Sequence, residues 1–229
     1  MTGADALTRE WLSADPSWLA DAGDGHRLHH DVVGPFVAMQ QAAREDGIDC
    51  QIVSGYRSVE RQLSIWNRKW HGALPLYDQH GEKLDTAALS DSEKLHAILM
   101  YSALPGASRH HWGTDLDVYD KQRVQDWSGN FSLVNDEYLG DGPCAVLSQW
   151  LDDHAADYGF SRPYAQYQGG VAPELWHLSH RQTAQPFEAA LRADALKTFL
   201  SGADVAGKTT ILAAFDTLFT RYVLNQGTL

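Results

Sequence analysis

The chain has 229 residues, 44% of them hydrophobic, which suits one large domain or two small ones with a real core. Its 18 Lys and Arg stand against 30 Asp and Glu, and the net charge of -12 opposes binding to nucleic acid, anionic membranes and anionic wall polymers. Two cysteines, Cys50 and Cys144, exclude a disulfide framework and a cysteine-based zinc cluster; reduced, buried thiols are expected, with one disulfide left open for an exported protein.

No stretch approaches the ~20 apolar residues of a membrane span. The first ten residues have neither a basic n-region nor an apolar h-region, so a cytoplasmic place is the default expectation. A periplasmic place stays open if a leader has been removed.

Residues 1–25 carry Trp11, Trp18 and Leu19 at the spacing of a short helix and turn, and no function is assigned to them. Residues 26–46 repeat apolar positions at helical spacing, with Gly47 at the C-cap and Pro35 either kinking the helix or starting a fresh one. Residues 49–56 read as a strand entering the turn Ser54-Gly55-Tyr56-Arg57-Ser58. Ser58 then serves as N-cap for a helix over 59–70, and residues 71–89 look like loop. Ser90-Asp91-Ser92-Glu93 has the capping-box pattern and opens a helix that runs to Pro105-Gly106.

After a loop, a strand is predicted over 114–119, a polar excursion over 120–142 and a helix over 144–158 stopped by Gly159. A loop leads into a last strand over 174–180, and two helices, roughly 186–200 and 205–225, close the chain. Helices and short strands without regular alternation predict an α+β domain with a small, mainly antiparallel sheet flanked by helices. One domain is expected over 1–229, its core at about 26–182 and a C-terminal helical pair at about 186–225.

The chemistry concentrates in Ser108-Arg109-His110-His111-Trp112-Gly113-Thr114-Asp115-Leu116-Asp117, which holds two imidazoles and two carboxylates. A catalytic zinc takes three such ligands and keeps one position open, so this stretch reads as part of a metal site. The obvious source of a third ligand is Glu174-Leu175-Trp176-His177.

The stretch 105–117 resembles the S-x-H-x-x-G-x-A-x-D signature of the VanY and VanX type zinc D-alanyl-D-alanine peptidases, which share an active-site architecture with the hedgehog N-terminal domain and the lysostaphin-like endopeptidases. Residues 174–177 resemble the family's E-x-W-H, and Ser54-Gly55-Tyr56-Arg57-Ser58 its G-[YF]-R-S segment. The motifs stand in family order, and together they are far more specific than any one alone.

The resemblance implies one zinc ion held by His110, Asp117 and His177. It implies Glu174 as the base that takes a proton from zinc-bound water and returns one to the leaving amine, and Arg57 as the electrostatic partner of the carbonyl or of a substrate carboxylate. Ser108 is implied near the substrate's terminal carboxylate; Gln62 and Trp176 are further candidates for the cleft. On an ideal strand Glu174 and His177 would face opposite sides, so a bent strand entrance at Pro173 is expected.

His111 competes with His110 as a ligand and His180 with His177; the motif register favours His110 and His177. Asp115 departs from the pattern, which has Ala there. It is expected to act on substrate or behind the metal's ligands, against the plainer reading of a solvated or salt-bridged carboxylate. Trp112 and Trp176 read as cleft walls and core.

Residues 202–209 satisfy G-x-x-x-x-G-K-[ST], but a working phosphate loop needs a strand before it, and a helical run precedes this one. Two functional expectations result. The first is a zinc peptidase acting on a small peptide that contains D-amino acids, most simply one ending in D-alanine. The second is a catalytically degenerate zinc-binding recognition module of the same fold, which the carboxylate of Glu174 speaks against.

Overall fold

The computed structural model describes residues 8, 10–12, 16–79 and 81–227. Strands β1 (Leu19–Asp21) and β2 (Arg27–His29) pair as an antiparallel ribbon, so the chain enters α1 (His30–Glu45) later than its helical spacing predicts. His29 stops the strand and caps the helix, its ring nitrogen accepting from Asp31 N. Pro35 lies inside α1 near its start, where its missing N–H removes only the bond back to Asp31.

The central sheet follows. Strands β3 (Cys50–Ser54), β6 (Asp115–Asp120), β8 (His177–His180) and β7 (Phe160–Ser161) lie side by side in the order β3-β6-β8-β7, all antiparallel. Between them lie α2 (Val59–Trp70), a small hairpin of β4 (Leu76–Tyr77) and β5 (Lys83–Leu84) where loop is predicted, and α3 (Asp91–Tyr101). The caps are as read: Ser58 Oγ accepts from Arg61 N, and Ser90 and Glu93 form the capping box.

Alternation along β6 decides which face of the sheet is core and which is site. Leu116 and Val118 point with Leu178 and Ile52 into a core closed by Val32, Phe36, Met39 and Ala43 of α1. These four recur at helical spacing and bury one stripe of α1. Asp115 and Asp117 point the other way, and both are buried.

The excursion after β6 contains α4 (Lys121–Asp126), and α5 (Ala145–His154) ends in a 3-10 turn with Gly159 left-handed. Where two C-terminal helices are predicted there are four, α6 (Arg181–Ala190), α7 (Ala193–Gly202), α8 (Lys208–Ala213) and α9 (Phe215–Leu218), then one π-helical turn. The chain breaks where Leu191 and Arg192 turn extended and again at left-handed Gly207; Pro186 sits inside α6 rather than opening a helix.

Leu196, Leu200, Ile211 and Phe215 of these helices pack on Trp66, Trp70, Ile98 and Leu99, a second core that fixes α2 and α3 beside the sheet. The segment 202–209 is a link between α7 and α8; Gly207 presses on Trp70 and Lys208 Nζ donates to Ser201 O. Trp11 and Trp18 join Trp112 and Phe187 in a third cluster, while residues 1–7, 9 and 13–15 of the predicted N-terminal helix and turn lie outside the described residues. Cys50 and Cys144 are buried free thiols.

Candidate metal centre and active-site cavity

The predicted ligands come from three local structures. Asp117 and His177 are cross-strand partners on β6 and β8, so their side chains share the site face one strand apart. His110 arrives from a 3-10 turn, Arg109–Trp112, that doubles the chain back over β6. Gly113 makes the reversal at φ 72°, and a Cβ there would meet His29 N at 2.8 Å. Gly113→Ala combines left-handed strain with a backbone clash, and the expected loss is about 2–4 kcal/mol of stability in denaturant unfolding.

Hydrogen bonds fix which ring atoms face the centre. His110 Nδ1 donates to Gly55 O at 2.9 Å, which leaves the Nε2 lone pair 3.4 Å from Asp117 Oδ2. His177 Nε2 donates to Asp115 Oδ2 at 2.9 Å, which turns Nδ1 toward Asp117 Oδ1 at 3.1 Å. Asp117 Oδ1 is nonetheless a buried acceptor without a well-formed hydrogen bond.

One atom from each of His110, Asp117 and His177 lies within 4.8 Å of the other two. Lone pairs facing a buried carboxylate repel unless a positive charge sits among them, so the donor set fits a divalent cation of zinc type. Burial alone would lower the pKa of His177, but the Asp115 and Asp117 carboxylates beside it raise it to about 10. The same neighbours hold both carboxyls far below their ordinary range against the opposing effect of burial, Asp115 through Arg109 and His177, Asp117 through His110 and His177.

His111 is occupied on both nitrogens, donating from Nδ1 to Arg57 O and accepting Gly106 N at Nε2. Burial lowers its pKa to about 3, so it stays neutral and ties two loops together. His180 lies on the other face of β8 with Thr183 and Phe160. A second group, His29, His30 and Asp31, could also gather around an ion, but His29 Nδ1 is engaged as helix cap and the other two residues are exposed.

Glu174 does not lie on a strand. It sits in the turn before β8, where Glu174 N donates to Tyr164 O and its own carbonyl accepts from His177 N at 3.3 Å. The turn removes the strand-facing conflict, and Glu174 Oε2 lies 3.4 Å from His177 Nδ1. Burial and the charge of Asp117 raise its pKa to about 7, against His177, Arg57 and Lys69, which favour the carboxylate. Asn135 holds the turn, donating to Pro173 O and accepting from Leu175 N.

These groups line a cavity of about 680 Å³ together with Arg57, Ser108 and Trp176. Arg57 donates to Ser54 Oγ and Gln62 Oε1, both at 3.0 Å, and lies 3.9 Å from Asp117 Oδ2. Gln62 does not reach the cavity as predicted: it is fully buried, with Nε2 on Ala103 O, and acts as the brace for Arg57. Trp112 is likewise not a cleft wall; it stacks on Phe187 in the core.

Asp115 takes a place that neither solvent nor substrate reaches. Its oxygens accept from His177, from Arg109 Nε at 2.5 Å, from Ser179 Oγ at 2.9 Å and from Thr114 Oγ1 at 2.8 Å. Arg109, which sequence reasoning passed over, is tied on to Glu188 and Ser179. Asp115 and Asp117 lie two residues apart on one face of β6, opposite Ser179 and His177 of β8 respectively.

The fold, a small antiparallel sheet flanked by helices, is shared with solved structures. It resembles VanYB in complex with D-alanine-D-alanine at 21% identity and a TM-score of 0.50, covering 81% of this chain and 89% of that one. It also resembles the LdcB LD-carboxypeptidase at 20% identity and a TM-score of 0.53, over 85% and 82% of the two chains.

The VanY, D-alanyl-D-alanine carboxypeptidase, family model matches residues 25–183, and the chain belongs to that family. A Haemophilus influenzae protein described as uncharacterised is 42% identical over 79 residues, 34% of this chain and 54% of that protein. A D-alanyl-D-alanine carboxypeptidase of Enterococcus faecalis is 26% identical over 162 residues, 69% of this chain and 50% of that enzyme. These matches span about half the length of each of these two relatives.

Proposed function

We propose that the chain is a zinc-dependent peptidase that hydrolyses the peptide bond to a D-alanine, in a peptidoglycan stem peptide or a dipeptide of D-Ala-D-Ala type. The observation that carries the reading is the carboxyl of Glu174, which lines the cavity and is held 3.4 Å from the Nδ1 of a candidate ligand, His177. Membership of the VanY family supports the substrate class.

Zinc bound by His110, Asp117 and His177 would supply a Lewis acid that polarises the scissile carbonyl and the water. Glu174 accepts the proton of the attacking water and delivers a proton to the leaving amine, a role suited to a group titrating near neutral pH. Arg57, locked by Ser54 and Gln62 and facing the cavity, stabilises the oxyanion without having to reorganise. Trp176, packed on Tyr138, walls the site against water.

A recognition module without chemistry would have no use for a half-buried carboxyl at this point, which disfavours that alternative. The direct test is release of D-alanine by the zinc-loaded protein from a stem pentapeptide and from D-Ala-D-Ala. Stoichiometric zinc with neither substrate cleaved would transfer the reading to the recognition module.

The pH dependence has a definite sign. Glu174 works as a base, so kcat/KM falls tenfold per unit once pH drops below its pKa. That acid limb is expected at or below about 7, because a cation beside it joins His177 and Arg57 in favouring the carboxylate. A rate profile in which activity rises toward low pH would contradict the assignment of Glu174 as base.

A further inference from the structure

Three arginine and lysine side chains line the cavity, and two are committed. Arg57 is braced beside Asp117, and Arg109 is paired with Asp115 and Glu188. The third is Lys69. It is half-buried, its Nζ donates to Ser102 Oγ at 2.9 Å, and among the described residues no carboxylate oxygen lies within ion-pair distance of it.

Lys69 belongs to the last turn of α2, the helix that starts just after Arg57. Ile65 stands one turn before it and also lines the cavity, so this side of α2 forms a continuous wall leading away from the metal centre. Helical side chains lean toward the helix N-terminus, which carries the ammonium back toward Arg57. Burial lowers its pKa to about 8, with Glu174 the strongest opposing influence, so Lys69 stays charged at neutral pH and shares the side of the cavity where Glu174 protonates the leaving amine.

We propose that Lys69 is a specificity-determining residue, the cation that receives the free carboxylate of the residue being released. A desolvated ammonium that feels Glu174 only beyond ion-pair distance gains further when an anion comes into direct contact with it. In a cavity that also holds Asp117 and Glu174, Lys69 thereby offers one ammonium to the carboxylate of a small peptide. Ser102 pins the ammonium on one side and leaves its other protons for the ligand, and the hydroxyl of Ser108 lines the same cavity. The proposal rests on the peptidase reading above for the identity of the ligand, but its test does not depend on turnover.

The experiment is calorimetric binding to the zinc-loaded Glu174→Gln protein of an N-acetylated peptide ending in D-Ala-D-Ala, compared with its C-terminal amide. With Lys69 in place the acid is expected to bind about tenfold or more tightly than the amide. Lys69→Met in that background brings the ratio to near one, and Lys69→Arg restores most of it. If Lys69 only fastens α2 to the end of α3, Lys69→Met lowers the melting temperature and leaves the acid-to-amide ratio as it was, which overturns the proposal; so does an acid that fails to bind. A wild-type protein that binds the acid in preference to the amide but cleaves nothing sinks the catalytic reading and leaves Lys69 standing.

Discussion

Glu174→Gln is expected to lower kcat by about 10²–10⁴-fold while the protein keeps its zinc. The amide is nearly isosteric and can fill the turn before β8, whose backbone bonds to Tyr164 and His177 do not involve the side chain. It cannot take a proton from water. His110, Asp117 and His177 converge without help from the Glu174 carboxylate, so metal content should stay at one ion per chain. A variant that loses zinc together with activity would make Glu174 a ligand and leave the reaction without a base; one that retains full turnover would move the proton transfer elsewhere.

Asp115→Ala is expected to weaken zinc binding by about 10–100-fold, the usual effect of removing a carboxylate behind a histidine ligand. The bond from His177 Nε2 fixes the tautomer that exposes Nδ1, and Arg109, Ser179 and Thr114 in turn fix Asp115. Without the carboxylate, His177 can rotate or place its proton on Nδ1, either of which withdraws a ligand. Asp115→Asn keeps an acceptor but loses the charge, so its affinity should fall between the two. Competition against a chelator reads the effect directly; an unchanged affinity in Asp115→Ala would reduce Asp115 to a partner of Arg109. Substrate preference should not change, because Asp115 does not face the cavity.

The convergence of His110, Asp117 and His177 was legible because the motifs that carry them are dense and local, and because the side chains on β6 obey a period of two. The strand and caps around Arg57 and the capping box of α3 were legible for the same reason: each is written within four or five residues. What escaped depends on partners far apart in the chain. Asp115 could be flagged as unusual but not placed, since its role requires the register that sets β6 against β8. Gln62 was expected in the cleft because its helix borders the cleft; its rotation toward Ala103 is set by packing 41 residues away.

Lys69 carries no local signal at all. One lysine in the last turn of an amphipathic helix is ordinary, and only the fold shows that it lines the cavity, bonded to Ser102 and with no carboxylate among the described residues at ion-pair distance. The split of the C-terminal segment into four helices was hidden for a related reason. Apolar spacing continues across the breaks, while left-handed Gly207 and the extended residues at 191–192 interrupt the backbone.

One cation is expected in the group formed by His110, Asp117 and His177. Anomalous diffraction at the zinc edge from crystals grown with one equivalent of zinc tests it most directly. A single strong peak is expected among His110 Nε2, the Asp117 carboxylate and His177 Nδ1. A peak at His29, His30 and Asp31 with none in the cavity, or no peak at all, would contradict it.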